Sequence, residues 1–328
     1  MLTGSGVRHS LLPVVLLLVL AACDDDDPID ASLPDASADS ATDAAPDARS
    51  DASTSPDAGP RDADGPDADI GRAKDRASVF FVGHSLVNFH MPAMLDDVAS
   101  SLGLSHSYAA EIGVGAPLHW IWNHPEVTNG DDAHLELPTG RYDVLVLTEL
   151  IPIGEHVTYS DTTEYVRRYY ELAMSGSPAT QVYFYETWYS VEDPAWSENI
   201  AADRAIWEGV IDDVNATVDG PDILLVPGGT AMARLVERIE AGGVPGLESR
   251  FDLYVDPIHL TDVGNYFIAL VQLATIYRRS PVGGTATTSD QWGAPFSAPS
   301  PAAARIMQEI AWEVVSGDPR AGVAPRAR

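Results

Sequence analysis

A single cysteine, Cys23, stands in a chain of 328 residues. It can close no internal disulfide and build no cysteine zinc site. Basic side chains are scarce too: 19 Lys and Arg face 49 Asp and Glu, a formal net charge of −30. A chain of this sign lacks the basic face that displaces counterions from phosphates, which excludes a nucleic-acid binder. The same charge argues against electrostatic docking on anionic lipid. The apolar run at 11–20 is shorter than the ~20 residues that cross a bilayer as a helix. What is present is a 45% apolar composition, enough to bury a core. At roughly 150 residues per domain the length fits one large domain or two small ones.

The charge and the cysteine sit in particular places. Arg8 and His9 precede the apolar run, which ends in Leu20-Ala21-Ala22-Cys23. A basic start, a short apolar stretch and small residues before a cut site describe a secretory signal over 1–22. Leu-Ala-Ala-Cys resembles the bacterial lipobox. That resemblance implies that Cys23 is acylated, so that the chain is exported and lipid-anchored to a bacterial cell envelope, on its periplasmic or surface side. Residues 23–76 then form a tether without a single aromatic side chain, in which Pro-Asp-Ala recurs at Pro34, Pro46, Pro56 and Pro66. Its net charge of −11, with +1 on residues 1–22, leaves −20 for residues 77–328. So little apolar surface cannot offset chain entropy, and the tether is expected to be disordered and extended by self-repulsion.

From Ala77 the pattern changes to short apolar runs separated by helical periodicity. Strands are predicted over 78–82, 107–112, 143–147, 181–185 and 222–226. Helices are predicted over 91–102, 162–174, 196–214, 230–239, 262–277 and 302–315, with 281–301 as loop. This alternation argues for one α/β domain over 77–328, with a central parallel sheet of about five strands and helices on both faces. Ligands bind such sheets beyond the carboxyl ends of the strands, so the residues just after each strand are the candidates for chemistry.

After the first strand comes Gly83-His84-Ser85-Leu86-Val87-Asn88. A serine on a strand-to-helix turn presents its hydroxyl above the sheet, with the turn's backbone N–H groups pointing into the same space. The sequence is not Gly-x-Ser-x-Gly, so the nucleophile elbow of the α/β-hydrolases is not supported. Far along the chain lies Asp256-Pro257-Ile258-His259, just ahead of a predicted helix. An Asp three residues before a His can orient the imidazole that a serine nucleophile needs as its base. Each motif alone is common; a tight turn and a capped helix account for them equally well.

Together, in this order and on these elements, they resemble the SGNH (GDSL-like) hydrolase family, over roughly residues 78–277. The resemblance implies a three-layer αβα sandwich of the SGNH/flavodoxin-like kind. It makes Ser85 the nucleophile, His259 the general base and then acid, and Asp256 its orienting partner. It also implies a glycine N–H after the second strand as an oxyanion donor, for which Gly113 and Gly115 are available and Gly113 is preferred. The chain departs from the family at His84, where the family has Asp, and after the third strand, where Thr148-Glu149-Leu150 replaces Gly-x-Asn-Asp. Thr148 is then the candidate for the missing donor. An ionised Glu149 would repel an oxyanion, and a protonated one would donate to it.

Trp120 and Trp188 follow strands and are candidate platforms for a sugar ring, with core packing as the alternative. His119, His124, Asp131, Asp132 and His134 fit no helical metal-binding spacing, and neither a metal nor another cofactor is expected. The expected function is a serine esterase that acts through an acyl-enzyme on a small-molecule or glycan ester, first an O-acyl or O-acetyl carbohydrate and next a lipid ester. A catalytically impaired carbohydrate-binding lipoprotein on the same fold is the alternative, and a structural envelope protein a third. The sequence carries no indication of oligomeric state.

Overall fold

A computed structural model describes residues 71–323. Cys23, expected to be acylated, and most of the tether expected over residues 23–76 lie outside the described residues. Among the described residues six strands form one sheet in the order β3-β2-β1-β4-β5-β6. They are β1 (Arg76–Gly83), β2 (Ser105–Ile112), β3 (Asn129–Gly130), β4 (Val144–Leu147), β5 (Gln181–Tyr185) and β6 (Leu224–Val226). Five run parallel, in the flavodoxin-like order, and the two-residue β3 pairs antiparallel with the end of β2. The expected five strands are all present. The sixth is too short for any sequence period to reveal.

Among the described residues nine α-helices accompany the sheet: α1 (His90–Ser101), α2 (Leu118–Asn123), α3 (Ala133–Glu136), α4 (Ile153–Tyr159), α5 (Thr162–Gly176), α6 (Trp196–Asn215), α7 (Gly228–Glu240), α8 (Asp262–Tyr277) and α9 (Pro301–Gly317). The alternation of side chains along each strand sorts the core into two halves. Val79, Phe81, Val144, Val146, Tyr183 and Tyr185 face a layer built from α1, α7, α8 and α9. Phe80, Val82, Leu145, Leu147, Val182 and Phe184 face α2, α5 and α6. The result is a three-layer αβα sandwich, and the strands read as unbroken apolar runs because both their faces are buried. Ordered pairing starts slightly ahead of Ala77. Lys74 N–H donates to Tyr277 O (2.9 Å), and Ser105 N–H donates to Asp75 O (2.9 Å).

The sheet order reverses direction between β1 and β4, because β2 lies on one side of β1 and β4 on the other. At such a switch point the flanking loops diverge and leave a crevice beyond the carboxyl ends of the strands. The turn carrying Ser85 and the segment 148–150 both emerge there.

Candidate active site

Ser85 sits on the turn between β1 and α1. His84, ahead of it, is 1% exposed, and its Nε2 lies 3.1 Å from Glu149 O. A carbonyl only accepts, so Nε2 carries the proton. Nδ1 is then left to accept from Leu86 N–H at 3.4 Å. Burial pushes the His84 pKa down to about 4, against the favourable Glu149 carbonyl, so the ring is neutral. Where the resembling family has an acid, a neutral imidazole thus ties the end of β1 to the end of β4.

His259 and Asp256 share a loop that folds back on itself. Val255 N–H donates to His259 O at 2.9 Å, and Thr261 caps α8 by accepting from Gly264 N–H at 3.3 Å. Asp256 Oδ1 accepts from the N–H groups of Ile258 (2.9 Å) and His259 (2.8 Å), and its Oδ2 lies 2.6 Å from His259 Nδ1. Desolvation raises the Asp256 pKa, but the backbone and imidazole donors outweigh it and hold the carboxyl below its usual value. An ionised carboxylate is an acceptor only, so Nδ1 bears the proton and Nε2 offers its lone pair. That lone pair faces Ser85 Oγ at 2.8 Å. Three side chains from two segments 171 or more residues apart in sequence therefore form one hydrogen-bonded chain, acid to imidazole to hydroxyl.

The other expected site residues fall elsewhere. Gly113 N–H donates to Gly83 O at 2.9 Å, which extends the β1–β2 ladder by one rung, so it is not free to meet a substrate oxygen. The glycine is needed there for space: a Cβ would come within 2.6 Å of Ile121 Cγ1. Two residues on, Gly115 has φ +65°, a conformation that glycine adopts without cost. Among the described residues neither Ser85 N–H nor Gly115 N–H has an acceptor. Thr148 is fully buried, and its hydroxyl donates to Tyr185 O at 2.8 Å, which spends its only proton away from the crevice.

Glu149 is buried rather than exposed to the crevice. It is fully buried, accepts from Leu118 N–H (3.1 Å) and Leu150 N–H (2.9 Å) through Oε1, and meets the Thr162 hydroxyl (2.9 Å) through Oε2. Burial raises its pKa to about 7, against these three hydrogen bonds. It holds the start of α2, and with it the loop carrying Gly113 and Gly115, against the end of β4.

The two tryptophans are not open platforms. Trp188 is 0% exposed, and its indole N–H donates to Ile258 O at 2.9 Å. Beside it, Val191 N–H donates to Pro257 O at 2.6 Å. The segment after β5 thus supports the Asp256–His259 loop from below. Trp120, on α2, is half-buried and stacks on His124, the ring centroids 4.7 Å apart. His134 bonds with Asp132, and among the described residues no three His, Cys, Asp or Glu side chains converge as a metal cluster.

Sequence reasoning passed over the segment between α8 and α9. It returns along α1, with Thr285 N–H on Ser101 Oγ (2.9 Å) and Ser289 N–H on Asp97 Oδ2 (2.7 Å). It reaches the starts of α1 and α8, where Phe296 packs 4.9 Å from the His90 ring and Ser297 N–H donates to Asp262 Oδ2 at 2.8 Å. These helix starts directly follow the turn of Ser85 and the loop of His259, so the segment forms a wall beside them. The crevice is open: the side chains of His259 and Asp256 are 38% and 44% exposed. A separate cleft of about 410 Å³, lined by Leu104, Arg279 and Trp312 among others, lies at the opposite end of the parallel strands.

No family model matches the chain, and no curated protein matches it. Solved structures do. A DUF4886 family protein from Bacteroides uniformis shares 13% identity over 74% of this chain and 95% of its own, with a TM-score of 0.54. A family 3 carbohydrate esterase from Clostridium thermocellum shares 13% over 60% of this chain and 93% of its own (TM-score 0.39). A GDSL-like lipase from Bacteroides thetaiotaomicron shares 12% over 61% and 86% (TM-score 0.37). At these identities the likeness is one of fold. It is distant, and the first of the three carries it.

Proposed function

We propose that the protein is a serine esterase that works through an acyl-enzyme. The reading rests on one observation above all: Ser85 Oγ, His259 and Asp256 stand in hydrogen-bonding sequence at 2.8 and 2.6 Å, with the imidazole tautomer that leaves Nε2 free to take a proton. Ser85 Oγ attacks the ester carbonyl carbon as Nε2 removes its proton. Negative charge then develops on the former carbonyl oxygen, and the N–H groups of Ser85 and Gly115, which have no acceptor among the described residues, are the donors on the turns after β1 and β2 that would meet it. Collapse expels the alcohol, which takes the proton back from His259. Water, deprotonated by the same nitrogen, releases the acid and regenerates Ser85.

The substrate class that suits this site is a small acyl group, acetyl foremost, on a carbohydrate hydroxyl. A crevice this open, with its acid and imidazole partly exposed, suits a small acyl group better than a long acyl chain, which needs an enclosed apolar slot. A net −20 on residues 77–328 disfavours polyanions. Acylation of Cys23 would place this esterase on the cell envelope, at the surface where such glycans lie.

Incubation with a fluorophosphonate tests the reading directly. The folded protein should label at Ser85, and it should hydrolyse 4-nitrophenyl acetate and an acetylated oligosaccharide. The competing reading, a carbohydrate-binding protein that has lost catalysis, is favoured by the engagement of Thr148 away from the crevice. It predicts glycan binding with no label and no turnover.

Trp188→Phe isolates the support under the base. It keeps a ring in the core but removes the N–H that holds Ile258 O. One hydrogen bond of about 1 kcal/mol lost from the loop should slow the acylation rate roughly fivefold, with KM little changed. Stopped-flow release of 4-nitrophenol reads the rate. An unchanged rate would mean that the loop holds itself through Asp256 alone.

A further inference from the structure

Ser85 and His259 are separated by 174 residues, and the 2.8 Å between them is tolerant of little error. A second connection runs beside that bond. Asn88 lies on the Ser85 turn with φ 44°, a left-handed conformation that Asn tolerates better than most residues. Its Oδ1 accepts from the N–H groups of His90 (2.7 Å) and Met91 (3.1 Å) at the start of α1. Its Nδ2 donates to Ser85 O (3.4 Å) and to Asn265 Oδ1 (3.2 Å). Asn265 is 4% exposed, on the first turn of α8. Its Nδ2 donates to Leu260 O (3.2 Å) and Thr261 O (3.1 Å), the two residues that follow His259.

The orientation of both amides is forced. Two N–H groups demand an oxygen from Asn88, so its NH₂ must face Ser85 O and Asn265. Two carbonyls demand the NH₂ of Asn265, so its oxygen must face Asn88. Reversing either amide sets donor against donor or acceptor against acceptor. The pair therefore fits one way only, and every donor it has is used.

We propose that Asn88 and Asn265 form an amide clamp that positions the nucleophile turn against the base loop and so fixes the Ser85–His259 distance. Neither touches a reacting atom; both are positioning residues, and the kinetic part of the proposal rests on the esterase reading above.

Asn88→Asp separates the clamp from the helix cap. Aspartate keeps both acceptor bonds to α1, and its charge suits a helix start. Its second oxygen, however, would stand against Ser85 O and Asn265 Oδ1. Asn265→Ala removes the other half and leaves the cap untouched. Each variant should lower the rate of fluorophosphonate labelling and the kcat for 4-nitrophenyl acetate about 10- to 100-fold, with KM within about twofold and thermal midpoint close to wild type for Asn88→Asp. The double variant should be little worse than the poorer single one, because both break one connection. Multiplying effects would overturn the clamp.

Nitrogen-15 NMR of His259 provides a readout that needs no turnover. Ser85→Ala calibrates the Nε2 shift for an imidazole without its hydroxyl partner. Asn88→Asp and Asn265→Ala should both move the Nε2 shift toward that value. A shift that stays at the wild-type position refutes the clamp even if the protein hydrolyses nothing, whereas a moved shift without any turnover refutes only the esterase reading. If Asn265→Ala fails to fold, Asn88→Asp, with its cap intact, carries the test alone.

Discussion

Ser85→Ala and His259→Gln should each lower kcat for an activated ester by about 10⁴-fold or more, and the double variant should be no slower than the slower single one. The expectation follows from the shared proton. With Ser85 gone, the imidazole has no hydroxyl to deprotonate. With His259 gone, the hydroxyl must lose its proton to water, and the 2.8 Å contact that makes the transfer immediate is absent. Independent roles would instead multiply to about 10⁸-fold. Residual hydrolysis above background should survive in all three, because the free N–H groups of Ser85 and Gly115 belong to the backbone and outlast these changes. Asp256→Asn should cost less than removal of the base in so open a loop. Its Oδ1 keeps the backbone donors of Ile258 and His259, while its amide can no longer accept from Nδ1 and turns the imidazole to the wrong tautomer. Steady-state and single-turnover rates on 4-nitrophenyl acetate decide. Single variants that retain more than a tenth of wild-type kcat would remove this hydroxyl–imidazole pair from the chemistry.

That pair was legible in the sequence because its signals are local. Gly-x-Ser at the end of an apolar run and Asp-x-x-His ahead of a helix each place a side chain relative to its own element, and the α/β alternation places both elements at the same edge of the sheet. The donors around them were not legible, for a physical reason. Whether Gly113 N–H is free depends on the register of β1 against β2, and the pairing of Gly83 with Ile112 puts the next N–H into the ladder rather than into the crevice. Thr148 was misassigned for the same kind of reason: its hydroxyl turns toward β5, a neighbour that lies 37 residues away in sequence. Trp188 carries no mark in sequence to separate a rim aromatic from a buried one, since both follow a strand. The Asn88–Asn265 contact left one faint trace. An Asn near the start of the mostly apolar α8 interrupts the hydrophobic pattern, and a polar side chain buried there must find partners.

Glu149→Gln should make the protein more stable than wild type at pH 8 and nearly equal to it at pH 5. Burial raises the Glu149 carboxyl to about 7 from the ordinary 4.5, so the folded state holds a proton that the unfolded chain has released. A pKa raised on folding contributes stability that is complete below the unfolded value and is lost as pH climbs through the folded one. The loss therefore falls between about pH 4.5 and 7, and from the size of the shift it is on the order of 3 kcal/mol for this one group. Glutamine stays neutral throughout. Its oxygen can keep the N–H groups of Leu118 and Leu150, and its NH₂ can donate to the Thr162 hydroxyl, so the hold on α2 and on the Gly115 loop survives. Burial raises Glu111 and Glu186 to about 7 as well, so the variant still loses stability over the same window, only less steeply. His84 and His106 act with the opposite sign. Burial lowers both to about 4, so they cost stability as pH falls from 6.5 toward 4, where the unfolded imidazoles take up protons and the folded ones do not. Over the range where the two sets overlap they offset each other. Those histidines are the same in both proteins and cancel in the comparison, so the variant and the wild type part across about pH 4.5 to 7 and the full gap stands at pH 8. Urea unfolding at pH 5 and pH 8 measures the difference, and an equal gap between the two proteins at both values would show that Glu149 stays ionised in the folded core.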